Sequence, residues 1–280
     1  MRERTHAERL ASRDGWFPPE SVVRRVGNTP LTPFLGGGAA VLLQVAHPLV
    51  AAGVVAHSDF RNDLWRRLVR TLHALYFIVY GTKAEAERAG AAVQVVHTHV
   101  RGVTREPLGR FPAGTPYSAE DPELMLWVHA TLVQSSLEVY SRFARRLSPD
   151  DERRYHDEMA LVARIFGTPA PVIPRDLDAF REYFAAQVAG DDLAVTPPAR
   201  AVADVILAAP LPAPLRLLAP SHRLATAALL PERIRVEYGL PWTPLRRLAL
   251  PVAARSLHLG AVPLLRLAAR VAPPQRALAA

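Results

Sequence analysis

Cysteine is absent from this 280-residue chain, and lysine is nearly absent. Without cysteine the chain cannot form disulfides, thiolate zinc sites or iron–sulfur clusters, and thiol catalysis is excluded. A metal must therefore be bound by histidine, carboxylate or carbonyl oxygen, or must enter as part of a cofactor. Lysine occurs once, as Lys83, among 34 basic residues. We attribute the excess of arginine to genome composition, and we expect no nucleic-acid partner because no recognition motif accompanies it.

Familiar catalytic motifs are also missing from the sequence. It contains no His-Glu-x-x-His, Gly-x-Ser-x-Gly, Walker or Gly-x-Gly-x-x-Gly motif. The polar N-terminus has no apolar signal-peptide core, which predicts a cytoplasmic protein. The uncharged segment 36–56 is long enough to span a bilayer, but its Gln, His and Pro residues favour a core helix.

The positive charge is concentrated in the last third of the chain. Residues 1–199 carry 23 basic and 23 acidic side chains, whereas residues 200–280 carry 11 arginines and three acidic residues. Apolar runs alternate with arginines over residues 245–271. This segment either packs on the protein or makes peripheral contact with an anionic membrane. We predict a helical domain over residues 1–245 and a basic, apolar helical tail over residues 246–280.

Strand signals are scarce, and apolar residues recur at helical spacing through most of the chain. This pattern predicts an all-α fold, a compact multi-helix domain with short loops. Ser, Thr and Asp residues mark several predicted N-termini. The predicted helices cover residues 5–12, 19–26, 31–56 (as one helix or a pair), 60–80, 83–103, 121–146, 149–166, 177–189 and 199–208.

Histidine is the residue type that carries most chemical information here. Several of the ten histidines lie in apolar helical segments: His47, His57, His97, His99 and His129. A buried imidazole must form a hydrogen bond or bind a ligand. If residues 83–103 form one helix, Arg101 follows His97 by one turn on the same side, whereas His99 points about 200° away.

A second group of candidate residues lies in the helix predicted over residues 60–80. Arg67, Arg70 and Thr71 fall on one side of it, at positions i, i+3 and i+4. They form either a solvated face or a site where an arginine binds a carboxylate, such as a haem propionate.

Several segments, taken in order, resemble the MpaB/rubber-oxygenase family, which includes the latex clearing proteins. They are VLLQVAHPLVAAGVVAHSDF, LWRRLVRTLHALYFIVYG, AAVQVVHTHVRG, PYSAEDPELMLWVHATLVQSSLEVY and YGLPW, and they extend over about residues 20–245. We identify the chain as resembling the uncharacterised bacterial branch of that family. The resemblance implies a globin-like helical core that holds haem b, and oxygenase chemistry.

The resemblance also assigns roles to individual residues. His97, followed four residues later by Arg101, matches the proximal iron ligand of latex clearing proteins. Arg67, Arg70 and Thr71 match a distal Arg-x-x-Lys-Thr element in which the lysine can cap the iron. Arg70 stands at that lysine position, and a guanidinium cannot ligate iron in the same way. The sixth position is therefore open, filled by water, or occupied by a histidine.

These assignments together predict a haem b-dependent oxygenase that uses dioxygen on an apolar substrate, such as an isoprenoid, a fatty chain or another alkene. Arg70 or His57 polarises dioxygen, and His47 and His129 complete the predicted cofactor-binding set. Three alternatives stay open: a haem sensor or carrier without turnover, a cofactor-free helical protein at membranes, and a non-haem metal enzyme.

Overall fold

The computed structural model describes residues 6–57, 60–208 and 213–271, without side chains at residues 6–7, 60–69, 213–214 and 267–271. Within these ranges the fold is all-α, as predicted, with one two-stranded sheet. The helices are α1 (His6–Ala11), α2 (Val22–Gly27), α3 (Gly37–Val45), α4 (Pro48–His57), α5 (Phe60–Tyr80), α6 (Lys83–His99), α7 (Pro122–Phe143), α8 (Pro149–Ile165), α9 (Leu177–Ala189), α10 (Pro197–Leu207), α11 (Ala219–Ala228), α12 (Glu232–Glu237), α13 (Pro244–Ser256) and α14 (Val262–Val271).

The centre of the fold is a sharp corner between α3 and α4. A π-helical turn, Thr32–Gly36, leads into α3, and the chain bends by 107° between the segments Thr32–Val45 and Pro48–His57. Proline cannot continue a hydrogen-bonded helix, so α3 stops before Pro48. Two side chains from distant elements donate hydrogen bonds to the end of α3, Trp127 to the carbonyl of Leu43 and Tyr238 to that of Leu42. The predicted segment 31–56 is therefore a bent pair of helices in the core.

Local capping explains where four of the central helices begin. Thr82 and Glu85 form a reciprocal capping box at the start of α6, and Asp121, Ser148 and Asp176 each accept a backbone hydrogen bond at the first turns of α7, α8 and α9. These hydrogen bonds satisfy N–H groups that have no partner within the helix. The starts of these four helices agree closely with the predicted ones.

The end of α6 differs from the prediction. The helix stops at His99 rather than continuing to residue 103, and the chain enters a short antiparallel hairpin, β1 (Arg101–Val103) with β2 (Pro116–Ser118). Arg101 therefore lies on a strand and does not share a helical face with His97. The segment predicted as a plain loop, residues 104–117, carries the turn and most of the second strand.

The C-terminal segment packs on the domain along one side. One continuous helix among the described residues, Pro244–Arg266, is long and apolar enough to cross a bilayer by length and composition; the bent pair at residues 32–57 qualifies only if read as one broken span. This C-terminal helix consists of α13, a π-helical turn (Leu257–Ala261) and the first part of α14. Helix α13 packs against α11 and the π-helical turn packs against the 3₁₀ segment Ala213–Leu218, with Ala253, Leu257 and Ala261 buried. The proposed domain boundary at residue 245 stays a prediction, and residues 272–280 lie outside the described residues.

The crossing of α6 and α8 tolerates no side chain at Gly90. An added methyl group would lie 2.3 Å from the carbonyl oxygen of Ile165. We expect Gly90→Ala to lower the free energy of unfolding by about 1–3 kcal/mol, because the two helices must separate. Gly38→Ala is the control, since its methyl group would make an ordinary 3.5 Å contact with Ile206. Urea denaturation checks both, and an equal response of the two variants would contradict the packing argument.

Candidate functional site

The α5–α6 hairpin brings two groups of predicted site residues alongside each other: Arg67 and Arg70 on α5, and His97 on α6. Only two residues separate Tyr80, where α5 ends, from Lys83, where α6 begins, and the two helices pack along each other. Because both rise about 1.5 Å per residue, positions equally far from the turn lie side by side. Arg67 is therefore level with the last turn of α6, which carries His97, and Arg70 lies one turn nearer the hairpin turn.

The described side chains of this group are accessible to solvent. Arg70 and Thr71 are exposed, and His97 is half-buried. The backbone of Arg67 belongs to α5, but its side chain lies outside the described residues. Arg101 is exposed on β1, just beyond His97. The structure thus brings one imidazole and at least two exposed guanidinium groups to one end of the hairpin.

The end of α4 reaches the same region through the small sheet. Tyr117, on β2, pairs with Gly102 of β1, and its hydroxyl oxygen lies 3.4 Å from Nε2 of His57. A Cβ at Gly53 of α4 would lie 3.5 Å from Val100, which follows α6 directly. His57, at the exposed end of α4, is therefore held near the end of α6 that carries His97.

His47 lies at the opposite end of α4. Ten residues separate it from His57, which corresponds to about 15 Å along a helix. Its side chain is buried, its ring lies 5.5 Å from that of Phe111, and its Nδ1 accepts a hydrogen bond from the backbone N–H of Leu49. Burial lowers the pKa of His47 to about 4. The structure does not bring this histidine together with His57.

His129 lies in the interior between α7 and α8. Burial, with a smaller contribution from His156 on α8, lowers the pKa of His129 to about 4. Its Nδ1 has no hydrogen-bond partner among the described residues. Trp127, two residues earlier, donates to α3, so His129 faces about 200° away from that contact. The electrostatic influence of His156 indicates that His129 lies toward α8; no described interaction connects it with the sheet at His57.

Exposed valines surround the end of α6. Val95 and Val96 precede His97, Val103 lies on β1 and Val55 lies on the last turns of α4. Their exposed fractions are 60% for Val95, 58% for Val96, 58% for Val103 and 37% for Val55. We call these four residues the valine rim. A cluster of exposed apolar side chains is typical of a surface that a ligand or partner covers.

This donor set fits a haem better than a bare metal ion. No three His, Asp or Glu residues among those described are grouped closely enough to hold a metal ion. A porphyrin supplies four nitrogen ligands itself, so one protein imidazole is sufficient. His97 could provide such an imidazole, the valine rim provides apolar surface, and Arg101 can pair with a propionate carboxylate.

Sequence reasoning missed two parts of this site. Tyr117 was not among the predicted site residues, although it belongs to the PYSAEDP segment that carries the resemblance. Val95 and Val96 face solvent on a helix whose other residues are mostly small or polar. The signal available in the sequence was the pair of adjacent valines near the end of a helix that is otherwise rich in small and polar residues.

The fold and the site define an all-α protein whose candidate site contains His97, with His57 nearby, and is bordered by valines and arginines. The family model described as "ER-bound oxygenase mpaB/B'/Rubber oxygenase, catalytic domain" matches residues 24–259, and the chain belongs to this family. The resemblance found in the sequence is thereby confirmed, and the family supports an oxygenase enzyme.

Similar proteins agree with this assignment. The uncharacterized proteins Rv2237 of Mycobacterium tuberculosis and Mb2261 of Mycobacterium bovis are each 28% identical over 212 residues, covering 73% of this chain and 79% of theirs. A solved structure, "Structure of Latex Clearing Protein LCP in the closed state", matches with a TM-score of 0.55 and 19% identity, over 90% of this chain and 68% of that one. That likeness shows a shared fold.

Burial of His47 and His129 predicts acid sensitivity. In the unfolded chain each pKa is near about 6.5, whereas burial lowers each to about 4 in the folded chain. The unfolded state therefore binds more protons between these values, so stability decreases as the pH falls from about 6.5 to about 4. The expected slope is about 1.4 kcal/mol per pH unit for each histidine.

Urea denaturation at pH 7 and pH 4.5 measures this dependence. His129→Leu removes one titrating group, so we expect it to reduce the stability difference between the two pH values. His99→Leu, at an exposed position, is the control and leaves the difference unchanged. An unaltered difference in the His129→Leu protein would show that this histidine is not the acid-sensitive group.

Proposed function

We propose that this chain is a haem b-dependent oxygenase that uses dioxygen on an apolar, alkene-containing substrate such as an isoprenoid or fatty chain. The observation that carries the proposal is the arrangement at the end of α6. His97 lies there, level with Arg67, beside exposed Arg101 and among the valine rim. Membership of the oxygenase family supports the reaction class.

Each residue of the site has a role in this proposal. Haem b supplies, when bound, an iron centre that activates dioxygen. His97 would hold the haem iron through a ring nitrogen, because imidazole is a usual protein ligand of haem iron. Arg67 and Arg101 neutralise carboxylates at the edge of the cofactor, and Thr71 can donate a hydroxyl hydrogen bond.

Arg70 and His57 are the two residues proposed to interact with dioxygen. The guanidinium of Arg70 has five N–H donors and no acceptor, so it can donate hydrogen bonds to an oxygen atom but would not act as an iron ligand. His57 is the alternative distal residue, and the nearby Tyr117 hydroxyl can orient its ring. His47 and His129 stay predictions as cofactor-binding residues, with structural roles supported by their burial.

The valine rim supports the choice of an apolar substrate. It offers aliphatic surface next to the position assigned to the cofactor, and covering that surface with a hydrocarbon chain removes water from both partners. We propose a cytoplasmic location with peripheral contact with a membrane, where such substrates partition. The exposed apolar residues of the C-terminal helix support this contact.

Haem binding is the first test of the proposal. Protein expressed with a haem precursor is expected to show a Soret band and about one haem b per chain in a pyridine haemochrome assay, as one axial histidine requires. His97→Ala should lose the haem, because it removes the axial nitrogen. His99→Ala is the matched control, since that ring lies on another side of the helix, with Nδ1 2.8 Å from the carbonyl oxygen of Val95. A wild-type spectrum in the His97→Ala protein would contradict the assignment.

Turnover distinguishes an oxygenase from a haem sensor or carrier. We expect the reduced haem protein to consume dioxygen faster when a polyisoprenoid or unsaturated fatty acid is added. Arg70→Gln should slow this consumption while leaving the haem content unchanged, because it removes a charged donor without touching His97. Haem-loaded protein that consumes no dioxygen with any such alkene would favour the sensor or carrier.

A further inference from the structure

The C-terminal helix Pro244–Arg266 has one packed side and one open side. Ala253, Leu257 and Ala261 are buried against the domain, whereas four large apolar residues on the other side are exposed. Their exposed fractions are 75% for Leu245, 76% for Leu248, 67% for Val252 and 69% for Leu259. Leu245, Leu248 and Val252 are three and four residues apart and lie on one side of α13, and Leu259 follows seven residues later in the π-helical turn. We call these four residues the outer row.

The surroundings of the outer row are cationic. No acidic residue follows Glu237 in the sequence, while the helix carries Arg246, Arg247, Arg255 and Arg266. Arg255 is exposed and lies between Val252 and Leu259 in the sequence. An apolar row accompanied by arginines and no acidic residues matches the chemistry of anionic phospholipids. The lipid phosphates attract the arginines, and the apolar side chains insert where the headgroups meet the acyl chains.

Two other occupants fit this surface less well. A second copy of the chain would bring two acid-free, arginine-bearing rows together, so like charges would repel. A transmembrane arrangement would pull the buried side away from α11 and place Arg255 near the middle of the bilayer, where a charge is costly. A helix lying in the plane of the membrane keeps the inner contacts and lets Arg255 extend to the headgroups.

We propose that the outer row docks this protein onto an anionic phospholipid surface, with the C-terminal helix lying parallel to the membrane. The inference rests on the peripheral membrane contact proposed above and uses neither haem nor oxygenase activity. The row enters the acyl boundary, and Arg247 and Arg255 contact phosphate groups.

Vesicle co-sedimentation of the full chain tests this proposal. We expect binding to phosphatidylcholine vesicles that contain about one-third phosphatidylglycerol, weak binding to phosphatidylcholine alone, and loss of binding at high salt, since the charge attraction is screened. Leu248→Ser with Val252→Ser should weaken binding about tenfold or more, because both side chains leave the acyl boundary. Both residues are exposed, so the variant is expected to fold.

Matched variants separate this face from unspecific attraction. Val252→Ser should weaken binding, whereas Val236→Ser, a valine with the same 67% exposure on α12, should not. Arg247→Gln with Arg255→Gln should weaken binding about 25-fold, at about fivefold per arginine. Arg153→Gln with Arg175→Gln changes the net charge equally at exposed positions elsewhere and should have little effect.

Several outcomes would overturn the inference. One is failure of the wild-type protein to bind anionic vesicles at low salt. Another is equal vesicle binding by the wild-type protein and the outer-row variants. Lipid-free dimers that dissociate in the Leu248→Ser, Val252→Ser protein would identify a second copy as the occupant. Protein that resists extraction by high salt and alkaline carbonate would indicate a transmembrane helix. Haem content and dioxygen consumption are measured in separate assays. A negative result in vesicle binding therefore does not contradict the proposed oxygenase activity, and a negative result in the haem or dioxygen assays does not contradict membrane docking.

Discussion

The break between α3 and α4 at Pro48 is the constraint on which the rest of the structure depends. A helix that stops inside the core has few backbone donors for its last carbonyl groups, and the single N–H of Ala46 is shared between the carbonyls of Leu42 and Leu43. Trp127 and Tyr238 donate to Leu43 and Leu42, and the backbone N–H of Ala194 donates to the carbonyl of Ala46. Helix α7, the end of α12 and the loop before α10 are thus held against one corner.

The corner also determines where the candidate site lies. Because the chain turns by 107° there, α4 leaves the core and carries His57 outward to the small sheet. Tyr117 and Gly53 then connect α4 with the end of α6. A buried histidine with a lowered pKa, His47, therefore lies just before α4, and an exposed histidine, His57, ends it. Both histidines lie in apolar segments of the sequence, and only the structure shows that His47 is buried and His57 is exposed.

The predictable parts of this structure are those determined by nearby residues. The starts of α6, α7, α8 and α9 follow from capping side chains within a few positions, and helical periodicity identifies the all-α fold. The end of α6 at His99 could not be predicted, because three-residue strands have no readable period and the hairpin is held by contacts with α4. The approach of His57 to the end of α6 is likewise non-local. Family resemblance identified His97, whereas only the structure placed Tyr117 and the valine rim beside it.

Exposed apolar residues in this molecule mark two separate surfaces. One is the valine rim at the end of α6, and the other is the outer row on the C-terminal helix. Scattered exposed apolar residues are normal in folded proteins, but aligned or clustered ones expose contiguous area to water. Arginines accompany both surfaces, and the outer row lies in a stretch without acids. An apolar surface bordered by cations suits an amphiphile with anionic groups, and both proposed ligands, a haem with its propionates for the first surface and a phospholipid layer for the second, have this chemistry.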